Sequence, residues 1–326
     1  MKIAIVGCGA LGSYYGGKLH QANHQVHFIL RSDFDYVKRH GITITSPQGD
    51  FKFRPRIALD PTTIGPCDLV IISLKTTANS KIEALVKPLT TDKTMVISLQ
   101  NGLGNTELLS SFLPIEQVIG GLCFICVNRS APGMIRHLDH GQITIGEARG
   151  WPEPRTHELA SSFQNAGIPC KVTDTLRKAQ WEKLVWNIPF NGLGVTGRFG
   201  FDFFHSRENV LPKQHSAPLS TEALLTDHRW LETVSKLMHE IIEVANELGH
   251  PIKHALADRM ILNTRSMKDY HPSTVIDFEL GRPLEFESMF AIPLAEAATT
   301  NISTPIFKRV CQILQHLDDR RPPQHN

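Results

Sequence analysis

The stretch that most restricts the fold is the opening KIAIVGCGALGSYYGG, where an apolar run from Ile3 to Val6 meets Gly7, Gly9 and Gly12. It reads as strand, tight turn and helix. In such a unit the first glycine makes the turn, the second lets a pyrophosphate approach the backbone, and the third lets helix and strand pack closely. The helix N-terminus then offers its N–H groups to the phosphate charge. Glycine-rich turns are common, so context decides. A second apolar run, Gln25 to Leu30, follows at βαβ distance and ends at Arg31. Gly7, Cys8, Gly9, Ala10, Leu11 and Gly12 are therefore the expected cradle of a dinucleotide.

About 20 residues past such a fingerprint, an NAD-binding chain presents an acid to the ribose 2′-hydroxyl. Here that place holds Arg31, with Ser32 beside it. A guanidinium and a hydroxyl suit a 2′-phosphate, so the expected cofactor is NADP(H). The alternative is a solvated charge closing a strand.

With 326 residues, 41% hydrophobic and 20% charged, the chain can build about two cores. Its formal charge of +2 is spread among interspersed acids and bases, which argues against a nucleic-acid partner. No apolar segment reaches the ~18 residues that span a membrane, and the N-terminal run is broken by glycines rather than built as a signal peptide. Six cysteines lie scattered in apolar surroundings, as reduced thiols in a cytoplasmic protein would. Cys123 and Cys126 form a CxxC inside an apparent strand, Val118 to Val127, where residues three apart point to opposite faces. Without a second pair they make a poor metal or redox site, and no metal is expected.

Further along, Asp33 to His40 reads as a short helix and Ile42 to Ala58 as two strands around Ser46 to Asp50. Leu69 to Leu74 and Met95 to Leu99 are continuously apolar, as parallel strands covered on both faces are. They end in Lys75 and in Gln100-Asn101-Gly102, and ligands bind beyond the carboxyl ends of such strands. A solvated charge and a simple turn are the bland readings of Lys75 and Asn101. Met134 to Leu138 and Ile143 to Glu147 read as a hairpin across Asp139-His140-Gly141, with His137 and His140 as surface histidines. The run to Val172 closes an N-terminal Rossmann-like NADP-binding domain, 1–172, of α/β class.

From 173 to 326 the period becomes helical, and a mainly α-helical C-terminal domain is expected, opening after Asp174 as N-cap. In WEKLVWNIPFN, Lys183, Asn187 and Asn191 fall at i, i+4 and i+8 and so share a face. An amine and two carboxamides are costly to bury without partners, which points to a polar ligand. The alternative is a snorkelling lysine and asparagines that satisfy backbone near Pro189.

Lys75, the QNG segment at Asn101, the W-x-K-L-x-x-N-x-x-x-N segment and the Ser273 and Glu285 pair together resemble the ketopantoate reductases (2-dehydropantoate 2-reductases) from Met1 to about residue 320. The resemblance implies NADPH-dependent reduction of a small 2-keto acid, ketopantoate to (R)-pantoate, in pantothenate biosynthesis. It also implies roles. Lys183 would be the general acid, and Asn101, Asn187, Asn191 and Ser273 would bind substrate. Arg31 would hold the 2′-phosphate, while Lys75, Asn101 and Cys126 would line the cofactor and Glu285 would lie between cofactor and substrate. A monomer or homodimer is expected.

Two departures stand near the substrate residues. Gly197 to Phe201 lacks the family's further asparagine, and an insertion from Asp202 to about Thr226 reads as an irregular lid whose Phe201, Phe203 and Phe204 could contact substrate. Glu287-Ser288-Met289-Phe290 replaces the usual sequence after the glutamate. Alternatives are a paralogue acting on another 2-keto acid, a 3-hydroxyacid dehydrogenase-like enzyme, or a non-catalytic NADPH-binding sensor. Ser273 reads as a helix cap, Glu285 as the start of a helix to about Thr300, Ile306, Val310, Ile313 and Leu317 as one helix face, and Asp318 to Asn326 as a polar tail.

Overall fold

The computed structural model describes residues 1–206, 208 and 210–319. It divides into two compact units, Met1–Leu176 and Arg177–Asn326.

In the first unit the apolar runs become strands because every second residue can be buried on each side. The strands are β1 (Lys2–Val6), β2 (Gln25–Ile29), β3 (Ile42–Thr45), β4 (Phe51–Phe53), β5 (Arg56–Ala58), β6 (Leu69–Ile72), β7 (Met95–Ser98), β8 (Val118–Ala131), β9 (Met134–Glu147) and β10 (Cys170–Val172). Their order is β4-β3-β9-β8-β7-β6-β1-β2-β5, with β10 on β9. The central β7-β6-β1-β2 strands are parallel. Ile3, Ile5, Leu69 and Ile71 face one core, while Ala4, Val6, Val70 and Ile72 face the other. That continuous burial on both faces is the signature of a covered parallel sheet.

The hairpin differs from the sequence reading. β8 and β9 are antiparallel partners along most of their 14 residues each, and the chain reverses at Pro132-Gly133, where Gly133 has φ 64°. Asp139-His140-Gly141 is a bulge inside β9, with φ 65° at His140 and 125° at Gly141. Its turn-like composition therefore serves a kink rather than a reversal. Ile42 to Ala58 likewise makes three strands: β3 and β4 are antiparallel, and β5 joins β2 in parallel.

The helix Ala10–Gln21 lies against both parts of the sheet. A Cβ at Gly16 would stand 2.7 Å from the Phe28 ring, and one at Gly17 would stand 2.8 Å from Phe53. The helix face thus contacts β2 on one side and β4 on the other. Tyr15 is fully buried and donates to the Gly141 carbonyl, while His137 is 2% exposed. The expectation of a surface histidine fails at His137, whose ring bonds Ser46 Oγ at 2.8 Å and lies 4.5 Å from the Tyr14 ring; His140 is exposed.

The second unit is helical. The helix Leu176–Thr196 runs through Pro189, and beyond Trp186 it is buried on every side to Gly197. His228–Glu247 buries Trp230, Val234, Leu237, Ile241 and Val244 at helical spacing, capped by the Asp227 carboxylate. Pro305–Asp319 buries Phe307, Val310, Cys311, Ile313 and Leu314, a face rotated from the expected one because Ile306 and Leu317 are only half-buried. Residues 320–326 of the polar tail lie outside the described residues.

The segment after Phe199 is more ordered than its composition suggests. Helices Phe201–His205 and Thr221–Thr226 form within it, and residues 207 and 209 lie outside the described residues. Phe204 is 1% exposed with its ring 5.6 Å from Trp230, and the Arg309 guanidinium sits 5.0 Å from the Phe203 ring. Arg309 also donates to the carbonyls of Phe203, Phe204 and Glu208. Phe203 and Phe204 thus belong to the core of their own unit, not to a lid.

All six cysteines are free thiols, and burial beside Cys123 pushes the Cys170 thiol up to about 12. Among the described residues no cluster of His, Cys, Asp or Glu could hold a metal ion, and no helix is long and apolar enough to cross a membrane.

Candidate active site

At the carboxyl end of β1 the three fingerprint glycines have three different surroundings. Gly7 takes φ 101°, and a Cβ there would lie 2.4 Å from the Leu74 nitrogen, so it must be glycine both to turn and to let the backbone just after β6 approach. A Cβ at Gly12 would lie 2.3 Å from the Gly7 carbonyl oxygen, which is the close packing of helix on strand. At Gly9 a Cβ would meet nothing within 4 Å.

The open space thus lies beside the middle glycine. The helix that follows has no side-chain cap and no acid in its first turn, so its N–H groups and dipole face outward uncompensated. An anionic pyrophosphate fits this arrangement. Ser73, which sequence reasoning passed over, stiffens the turn by donating to the Gly7 carbonyl at 2.6 Å. The Cys8 thiol is held well above its usual range by burial and by the negative charge of Asp33.

Beyond β2, Arg31 and Ser32 are exposed. The Ser32 hydroxyl donates to Asp33 at 3.0 Å, so in this conformation its proton is not directed at a ligand. Lys75 follows β6 as an exposed residue at the start of the 3-10 turn Thr76–Lys81. Asn101 follows β7, half-buried, and its carbonyl accepts from Asn105 Nδ2 at 2.9 Å. Gln100 ties these two strand-end loops together by donating to Asn79 Oδ1 at 2.8 Å. Fingerprint, Arg31, Lys75 and Asn101 therefore share the carboxyl edge of one parallel sheet. Cys126 is 7% exposed on β8, past Gly120, the last β8 residue paired with β7.

In the second unit Lys183, Asn187 and Asn191 share one face of the helix Leu176–Thr196. Lys183 is half-buried, while Asn187 is 6% exposed and Asn191 1%. The two asparagines differ in their partners. Asn191 donates to the Asn187 carbonyl at 2.9 Å, and its Oδ1 accepts from the Thr274 N–H at 2.9 Å and the Ser273 hydroxyl at 3.5 Å. The helix Ser273–Glu279 is therefore capped by Asn191 from another helix; Ser273 is its first residue rather than its cap. Gly194 permits this approach, because a Cβ there would stand 2.6 Å from Val275. By contrast, no described residue hydrogen-bonds the Asn187 carboxamide.

Glu285, 8% exposed, precedes the helical segment rather than opening a regular one. After it come a π-helical turn, Glu287–Ala291, and the α-helix Ile292–Ala297. Such π-turns are rare and concentrate at functional sites.

Comparison with known proteins agrees with both halves. A family model described as ketopantoate reductase PanE/ApbA matches residues 3–150, and its C-terminal counterpart matches residues 217–318. A 2-dehydropantoate 2-reductase of Nostoc sp. is 37% identical over 98% of this chain and 96% of its own. The crystal structure of 2-dehydropantoate 2-reductase from Geobacter metallireducens GS-15 superposes with a TM-score of 0.88 at 38% identity, covering 97% of this chain and 100% of that one. D-mandelate dehydrogenase in its ternary structure with NADH and anilino(oxo)acetate shares the fold, with a TM-score of 0.85 at 19% identity over 98% of this chain and 99% of that one. Matched by family models over both of its units and by relatives along nearly its whole length, the chain belongs to the ketopantoate reductase family.

Proposed function

We propose that this chain reduces a small 2-keto acid at the expense of NADPH, with ketopantoate as substrate and (R)-pantoate as product. The observation that carries the reading is the contrast along one helix face. Asn191 is occupied by protein, whereas the carboxamide of Asn187, one turn from the Lys183 amine, is hydrogen-bonded by no described residue although the residue is only 6% exposed. Its two N–H donors and its carbonyl oxygen are thus left for a polar ligand.

When bound, the dinucleotide supplies a hydride to the keto carbon. Everything else falls to the chain. Reduction leaves negative charge on the former ketone oxygen, and we assign Lys183 to stabilise that charge and donate the proton. Asn187 orients the substrate, and Asn191 acts through Ser273, fixing the helix that presents its hydroxyl. Asn101 is assigned to both ligands, and Glu285 lies between cofactor and substrate. On the dinucleotide side, Gly7 to Gly12 hold the pyrophosphate, Arg31 the 2′-phosphate, and Lys75 and Cys126 line the rest. We place the enzyme in the cytoplasm, as a monomer or homodimer, in keeping with its six free thiols.

Lys183→Ala tests the assignment. Turnover should fall by about a hundredfold or more with NADPH affinity nearly intact, because the amine acts in the transition state. Turnover within a few-fold of the parent would assign the proton to another group.

A further inference from the structure

The Asp33 carboxylate is 5% exposed, two residues beyond Arg31, and three donors hold it. Arg129 Nη1 reaches Oδ1 at 2.7 Å, the Ser32 hydroxyl reaches the same oxygen at 3.0 Å, and the Gly133 N–H reaches Oδ2 at 3.2 Å. Arg129 and Gly133 both come from the β8–β9 hairpin, 96 and 100 positions away in the chain. The hairpin turn is seated on the segment after β2, with the Tyr36 ring so close to Gly133 that a Cβ there would lie 2.8 Å from it. The same carboxylate is near enough to the fingerprint to add to the raised pKa of the Cys8 thiol.

An acid in this part of a dinucleotide fold has two effects. It opposes a phosphate, and it offers a hydrogen-bond acceptor to a ribose hydroxyl. Here the carboxylate is turned toward the hairpin and neutralised there, while Arg31 stays exposed and, among the described residues, forms no ion pair. Arg129 keeps 38% of its side chain in solvent, so its charge also adds to the local field.

We infer that Arg129 is a specificity residue acting through Asp33: by pairing that carboxylate it keeps the segment after β2 selective for a 2′-phosphorylated dinucleotide over its unphosphorylated counterpart. The inference rests on the NADPH reading above. Arg129 positions and neutralises; it is not itself assigned a contact with the cofactor.

Measured Kd values for NADPH and NADH test this on the whole chain. Arg129→Met should cut the NADPH preference about tenfold, the size expected where one unpaired carboxylate opposes a phosphate at a partly solvated site. NADH affinity should stay level or improve. Arg129→Lys should keep most of the preference. In the Arg129→Met background, Asp33→Asn should restore it, because the carboxamide oxygen can still accept from the Gly133 N–H while its NH2 donates to the Ser32 hydroxyl, all without the charge. Equal weakening of both cofactors, with no rescue by Asp33→Asn, would mean a purely structural pair and overturn the inference. So would a preference that survives Arg129→Met unchanged. A parent protein that binds NADPH and NADH equally would instead overturn the cofactor reading, and this inference with it.

Discussion

Gly9→Ala separates the binding role of the fingerprint from its structural role. Gly9 has φ −72° and ψ −158°, which alanine adopts without strain, and an added Cβ would meet nothing within 4 Å. Removing glycine's unfolded-state freedom favours the variant by ~0.4–1 kcal/mol, and alanine's poorer fit at an N-cap opposes it by a similar amount. Its stability without ligand should therefore match the parent within about 1 kcal/mol.

Binding is another matter, because that open space is where the pyrophosphate is assigned. Losing one hydrogen bond between a charged phosphate and a backbone N–H costs ~1.5–3 kcal/mol, so NADPH affinity should fall by about ten- to a hundredfold. Gly12→Ala is the control. Its Cβ would stand 2.3 Å from the Gly7 carbonyl oxygen, a backbone atom that cannot swing aside, so this variant should lose stability before any ligand is added. Thermal unfolding with and without NADPH reads both effects, since a ligand at a hundred times its Kd stabilises by ~2.7 kcal/mol. A Gly9→Ala protein that binds NADPH like the parent, or that unfolds as readily as Gly12→Ala, would refute the reasoning.

Two further outcomes follow from the site and its support. If Arg31 reads the 2′-phosphate, Arg31→Ala should weaken NADPH at least about tenfold while leaving NADH nearly unchanged, as isothermal titration would show; equal losses would refute the assignment. Phe204→Ala should cost ~3–5 kcal/mol of stability, because the ring is 1% exposed against Trp230, while KM for the keto acid well below the melting temperature stays at the parental value. A changed KM with little loss of stability would reinstate the lid.

The parts of this molecule legible in the sequence are those whose signal is local. β1, β6 and β7 announce themselves by apolar runs buried on both faces, and the Lys183-Asn187-Asn191 face follows from helical spacing alone. The hairpin was misread because Asp139-His140-Gly141 has turn chemistry. The reversal was settled instead by pairing along the whole of β8 and β9, which moves it to Pro132-Gly133. That error hid Arg129, whose partner Asp33 lies 96 positions away.

The same limit applies to Asn191, since nothing near it in the chain announces the Thr274 N–H 83 residues on. Phe201 to Phe204 looked like a lid by composition. The burial of Phe203 and Phe204 depends on Trp230 and Arg309, which only the packing of three separate segments brings together. The π-turn after Glu285 carries no periodicity that distinguishes it from an ordinary helix.

The central claim is tested most directly by following NADPH oxidation at saturating cofactor across a panel of 2-keto acids that includes ketopantoate, pyruvate, branched-chain and aromatic members. The account predicts that ketopantoate is reduced to (R)-pantoate with the highest kcat/KM of the panel and that NADH supports the reaction poorly. Faster reduction of another member of the panel would move the enzyme to a different substrate, and no oxidation with any keto acid, NADPH binding being intact, would contradict the assignment of Lys183 and Asn187 to a reductase site.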